Sequence, residues 1–145
     1  MLSPIQTRRH WIRRIAFEPE EVAVDKSNYS ANITLKHLKL EKCWQVCLSI
    51  SFGGKKPGEA TYIGRVEFEG IFDVHPDFPP EKTDAMVRMN GGAILYGAAR
   101  ELIMNLTARS KHGPFELPTI DARMFIEPPP QAEIAETGSA IRKSD

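Results

Sequence analysis

No stretch of the 145-residue chain approaches the ~20 consecutive apolar residues of a membrane-spanning helix. No apolar run follows the early arginines either, so the first residues do not read as a signal peptide. The expected compartment is the cytoplasm. Net charge is also lacking. The chain has 19 basic and 19 acidic residues, so no global field draws it to nucleic acid. Cysteine is scarce, with only Cys43 and Cys47. In one strand they would stand about 13 Å apart at ~3.3 Å per residue, which exceeds the roughly 7 Å Cα limit of a disulfide. Reduced thiols suit the cytoplasm. His10, His37, His75 and His112 are scattered, and no two share a metal-ligand spacing. No glycine-rich loop follows a strand to cradle phosphate, because Gly53, Gly54 and Gly58 fall in a hairpin. These absences predict no metal, no cofactor and no catalytic constellation. Internal repeats are lacking too.

What the sequence does have is one long helical period. From Ala93 to Ser110 (AILYGAARELIMNLTARS), Leu95, Ala98, Ala99, Leu102, Ile103 and Leu106 recur at steps of three and four. Arg100, Glu101, Asn105 and Arg109 fall elsewhere on the wheel. Gly91 and Gly92 punctuate its start, and His112, Gly113 and Pro114 end it. A helix of this length spans roughly 27 Å, the width of a small domain. Gly97, Ala98 and Ala99 sit together at its middle. Glycine costs helix propensity, yet it lets another backbone come close. Two readings stand: packing onto the chain's own sheet, or a helix–helix contact between subunits using Gly97, Arg100 and Glu101.

Everything before this helix reads as strand. His10 to Glu18 is the first, with Trp11, Ile15 and Phe17 on one face and Arg14 and Glu18 on the other. Ile12 breaks the pattern, and Pro19 closes the strand. Glu20 to Ser30 is a polar crossover with turn-forming Asp25, Ser27 and Asn28. Asn32 to Leu40 is the second strand. Ile33 and Leu35 point one way while Leu38 and Leu40 point the other, which predicts a bulge near Lys36–His37. Cys43 to Phe52 alternates most cleanly. Trp44, Val46, Leu48, Ile50 and Phe52 form one apolar face, as in an antiparallel sheet with one solvated side. Gly53 to Glu59 is a hairpin loop.

Ala60 to Val74 returns as the fourth strand. Tyr62, Val66, Phe68, Phe72 and Val74 share a face with Gly64 and Gly70, which leave room for a helix or a curved neighbour. Pro76 to Pro80 is a loop, and Glu81 to Met89 a short helix. After the long helix, Pro114 to Glu127 is an extended return. Pro128–Pro130 forbid a further helix. The polar residues beyond read as a disordered tail. The prediction is an α+β fold with one domain over 1–127, a four-stranded antiparallel sheet packed with one long helix, and a tail over 128–145. A chain of this length buries a real core.

Chemistry is thinly represented. Glu101 is a general-base candidate only if buried beside a pocket, and an ion pair at a helix surface is the plainer reading. His75 and Asp77 lie in a proline-bounded loop and read as solvated. Arg8, Arg9, Arg13 and Arg14 form a basic cluster, either a solvated strand edge or a contact for an acidic partner. A long helix on an antiparallel sheet is also how hot-dog thioesterases and small-ligand binders are built. Glu101 would be the one carboxylate available to that alternative.

The strand run, VEFEGIFDV (Val66 to Val74) and AARELIMNL (Ala98 to Leu106) together resemble the SecB family of bacterial protein-export chaperones. RIAFEPE (Arg14 to Glu20) is similar to the family's first strand, and Pro114, Phe115, Glu116 and Leu117 resemble its descent from the helix. The resemblance covers about Ile12 to Phe125. It implies a non-enzymatic holdase, a cytoplasmic homotetramer built as a dimer of dimers with the long helices at its centre. Such proteins bind unfolded or precursor polypeptides in apolar grooves and pass exported precursors to the motor SecA, with no nucleotide or metal needed for binding. Phe17, Ile33, Leu35, Ile71 and Phe125 are the candidate groove residues, with ordinary core as the competing reading. The family presents acidic residues to SecA from strands one and four. Here the matching positions hold Arg14, Glu18, Ile63 and Arg65. The family's C-terminal helix is replaced by Pro128–Pro130 and the tail. That shortening, with FDVH after strand four, is more similar to SecB-like chaperones dedicated to an antitoxin.

Overall fold

Each apolar-alternating segment has one face to hide, and pairing side by side hides them together. The computed structural model describes residues 1–21, 28–126 and 131–137. Four long strands, β1 (Ile5–Pro19), β2 (Asn28–Lys39), β3 (Trp44–Gly53) and β4 (Tyr62–Val74), are followed by helix α1 (Pro80–Met86). A π-helical turn (Val87–Gly91) joins α1 to helix α2 (Gly92–Thr107). A 3₁₀ turn (Ala122–Phe125) and a last strand, β5 (Gln131–Thr137), complete the described chain. The sheet order is β1-β4-β3-β2-β5, and every neighbouring pair is antiparallel.

The inner face carries Val66, Phe68 and Phe72 of β4, Val46, Leu48 and Ile50 of β3, and Ala31, Ile33 and Leu35 of β2, all buried. Leu95, Ala99 and Ile103 of α2 close over them. The two glycines of β4 make the close approaches that their place on the inner face predicts. A Cβ at Gly70 would stand 2.8 Å from the Phe72 ring and 3.2 Å from Leu95. One at Gly64 would stand 2.5 Å from the Ala16 carbonyl oxygen of the neighbouring strand. Polar groups fasten the far end. The Tyr62 hydroxyl donates to the Gly113 carbonyl (2.7 Å), and the buried Thr107 hydroxyl accepts from the Phe115 amide (2.8 Å). Among the described residues no buried side-chain nitrogen or oxygen lacks a partner, as a dry core requires.

Four expectations are corrected. First, β2 is regular against β3 from Ser30 to Lys39, so the bulge predicted near Lys36–His37 is absent. Leu38 is simply exposed on the outer face. The register shifts lie in β1, between Thr7 and Arg9 and between Ile12 and Arg14. Second, those bulges divide the face expected of Trp11, Ile15 and Phe17. Trp11 stands opposite Glu69, on the outer face, while Ile15 stands opposite Val66, on the inner one. Ile12, opposite Phe68, breaks the alternation because the bulge adds a residue beside it.

Third, the glycine pair does not start the helix. Helix runs from Pro80 to Thr107 through the π turn, and the pair serves close packing. A Cβ at Gly91 would come within 3.2 Å of Val46, and one at Gly92 within 2.6 Å of the Phe125 ring. Fourth, the expected tail contains β5, which lies on the edge of β2 as a fifth strand. Residues 128–130 and 138–145 lie outside the described residues.

Candidate functional site

Helix α2 is apolar over a wider arc than its own sheet covers. Leu95, Ala99 and Ile103 are buried, but Ile94, Ala98, Leu102 and Leu106 form a second row at steps of four. Ile94 and Leu106 are each 37% exposed, and Ala98 and Leu102 are half-buried. Alongside this row runs β1, an edge strand whose Ile12 and Ile15 are 45% and 37% exposed. Between them lies a groove of about 450 Å³ floored by Phe68 and flanked by Ile12, Ala98, Glu101, Leu102 and Asn105. The helix row and the strand thus leave apolar side chains exposed side by side.

Gly97 is on the outward side of α2 with nothing within 4 Å of where its Cβ would be. Gly97→Ala is therefore expected to stabilise the isolated fold by up to about 1 kcal/mol through helix propensity. Thermal melts of the two proteins at equal concentration check this. Arg100 turns inward instead, donating to the Leu117 carbonyl (2.7 Å) and to Glu116 (2.7 Å). Glu101 is exposed at the groove and has no ion-pair partner among the described residues, contrary to its plainer sequence reading.

Two further hollows meet at the start of the helical segment, sharing Val74, His75, Pro76 and Phe78. One, of about 530 Å³, adds Leu2 and Pro4; the other, of about 340 Å³, adds Leu40 and Trp44. The second is braced by a polar clamp. His37 stacks on Trp44 at 5.6 Å between ring centroids and lies 2.6 Å from Asp84. Arg88 reaches both His37 (3.0 Å) and the Phe125 carbonyl (2.6 Å). The sequence reading missed Leu2, Pro4 and Phe78. Phe78 stood beside prolines in a segment taken for loop, and Leu2 and Pro4 lay ahead of the first expected strand.

The outer sheet face is polar and electrostatically matched. The residue added at each bulge of β1 is an arginine. Arg8 pairs with Asp73, and Arg13 lies 3.8 Å from Glu69 and 3.9 Å from the Cys47 sulfur. Arg65 stands 3.6 Å from Glu67. Burial pushes the Cys47 thiol up from its ordinary pKa, outweighing the opposing hydrogen bond from Arg13. The neutral thiol therefore dominates at neutral pH, and Cys47 is expected to alkylate more slowly than a small free thiol at pH 7.5. Peptide mass spectrometry after timed iodoacetamide labelling measures that rate. Among the described residues no cluster of three or more His, Cys, Asp or Glu side chains is placed to hold a metal, and no helix is long and apolar enough to cross a membrane.

The family model described as "Preprotein translocase subunit SecB" matches residues 5–128. The chain belongs to the SecB family. Among solved structures it is similar to the Mycobacterium tuberculosis Rv1957 SecB-like chaperone, solved in complex with a ChAD peptide from the Rv1956 HigA1 antitoxin. The two share 18% identity at a TM-score of 0.65, over 81% of this chain and 91% of that one. A search of curated proteins returns no match. The SecB-like α+β fold expected from the sequence, with its antiparallel sheet and long helix, is borne out.

The structure sorts the residues that the SecB resemblance singled out. Ile33, Leu35 and Phe125 are 2–3% exposed and belong to the core, so they do not line an open groove. The alternation that made Ile33 and Leu35 candidates puts them opposite Ile50 and Leu48 on the covered face. Phe125 is held against Gly92. Phe17 is half-buried, edge-on to Tyr62, and Ile71 is half-buried on the outer face. These five do not converge on one surface. Arg14, Glu18, Ile63 and Arg65 do. All are exposed on the outer face, with Glu18 opposite Ile63, and Arg65 opposite Ala16 beside Arg14.

Proposed function

We propose that this protein is a holdase, a chaperone that binds unfolded or precursor polypeptides without nucleotide, metal or catalysis. One observation carries the reading: a chain of the SecB family leaves apolar hollows and an apolar helix row open to contact. Apolar contact is worth about 25 cal/mol per Å² of surface removed from water. It is also tolerant of sequence, and several weak sites acting on one long client multiply into useful affinity. The hollows around Phe78 suit client side chains. The α2–β1 groove, with Gly97 and Glu101 beside it, suits assembly with further copies, and a cytoplasmic homotetramer of paired dimers is the form proposed. A hot-dog-like enzyme or ligand binder would depend on Glu101. That carboxylate is exposed on α2 and has no catalytic partner beside it among the described residues.

A second reading, a chaperone dedicated to one client such as an antitoxin, is favoured by the outer sheet face. Arg14 and Arg65 stand where the family resemblance calls for acids facing SecA, and reversed charge at a contact opposes docking. The deciding experiment measures binding to SecA and to an unfolded precursor at low and moderate salt, beside suppression of aggregation. Binding to both places the protein in general export. Precursor binding without SecA binding selects the dedicated chaperone. Binding to neither, with activity on a small substrate that is lost in Glu101→Gln, overturns the holdase in favour of the enzyme.

A further inference from the structure

The two edges of the sheet differ. At one edge the fifteen-residue β1 is paired with β4 through thirteen residues and interrupted by two bulges. At the other, β2 is covered by the seven-residue β5, paired from Asn28–Thr137 to Thr34–Gln131. A strand ladder is made of backbone hydrogen bonds, which any extended peptide reproduces; alternate side chains then decide which peptide holds best. In β5 the residues standing opposite the inner-face positions Ile33, Ala31 and Tyr29 are Ala132, Ile134 and Glu136. One is small, one is a large aliphatic, and one is an acid. The neighbouring β3 offers Ile50 and Phe52 opposite Ile33 and Ala31, and Tyr29 packs edge-on to Phe115 at 4.9 Å. The edge is thus strongly apolar on its inner side, while the strand that occupies it carries two glutamates and little apolar bulk.

We propose that β5 is an exchangeable occupant of the β2 edge, and that this edge receives an extended client segment with large apolar residues at alternate positions. This deepens the holdase reading and rests on it. The client adds as the fifth strand of the sheet, and β5 leaves. Sequence-independent backbone pairing suits a protein that must accept many non-native chains, or one client strand built better than its own. When an edge is self-occupied in nine molecules of ten, apparent client affinity is about tenfold weaker than the open edge would give.

The test uses a fluorescent extended peptide with valine and phenylalanine alternating with polar residues. Deletion of residues 131–145 is expected to tighten its binding about tenfold or more. Locking β5 in place does the reverse. Ser30 and Ala135 are directly opposed, so Ser30→Cys with Ala135→Cys, in a Cys43→Ser, Cys47→Ser background, is expected to lose peptide binding when oxidised and regain it on reduction. The lock keeps the test decisive where the shortened chain fails to fold. Equal affinity in the full chain, the deletion and the oxidised lock overturns the proposal. If the full chain nevertheless suppresses aggregation of an unfolded protein, only the edge assignment falls. If no variant binds peptide and none suppresses aggregation, the edge assignment and the holdase reading fall together.

Discussion

Phe72→Ala is expected to destabilise the fold by about 3–5 kcal/mol, the range for removing a large aromatic from a tight core. Phe72 is fully buried on β4, between Trp44 of β3 and Thr7 of β1. Its ring occupies space that two glycines leave open. A Cβ at Gly70 would meet it at 2.8 Å from the sheet side, and one at Gly91 would lie 3.6 Å away on the helix side. The ring is therefore the piece that seats the helical segment on the sheet. Neither glycine has a side chain that can swing into the hole, so the cavity cannot collapse cheaply and its full cost is felt. Against a total of about 5–15 kcal/mol for a domain of this size, the loss is a large fraction of stability. Urea unfolding at fixed protomer concentration reads it as a lower midpoint with an unchanged slope. A loss below about 1 kcal/mol would show that the helix is seated elsewhere.

Alternation in β3 and β4 was legible because each keeps strict period two, with the aromatic residues all on one side and only Ile63 and Ile71 of β4 adding apolar bulk to the other. β1 was not, because a bulge is set by what the neighbouring strand can pair with, and no single-strand pattern contains that. The five residues before His10 extend β1 for the same reason: their partners are Ile71 to Val74, more than sixty residues away in sequence. The glycine pair at 91 and 92 was read as punctuation, the usual local meaning of glycine. Its meaning here is tertiary, a contact with Val46 and Phe125. The same limit explains the site. In one dimension Ile33 and Leu35 look like groove, and Ile12 like an error in a strand. Burial reverses both, since Ile33 is 2% and Ile12 45% exposed. Strand β5 has almost no local strand signal and is defined by the edge it covers.

With assembly through the α2–β1 groove, as proposed above, Ile12→Asp combined with Leu102→Asp is expected to break that contact and leave dimers or single chains of 16.3 kDa by light scattering, while the far-ultraviolet circular dichroism stays that of the folded chain. Both side chains line the α2–β1 groove, from opposite walls, with Glu101 beside them. In a lone chain the groove is open to water, Ile12 is already 45% exposed, and two added carboxylates are solvated, costing the fold little. In a subunit contact the same carboxylates are stripped of water and crowded with Glu101 in an apolar groove. Like charges brought together at an interface cost several kcal/mol, which converts to more than a thousandfold in association. Loss of assembly then predicts a second effect. A long unfolded client engages several sites at once, so its binding falls steeply, whereas a short peptide, which engages one site, keeps its affinity. Unchanged mass together with loss of short-peptide binding would instead make the groove a client site, and assembly would have to use another face.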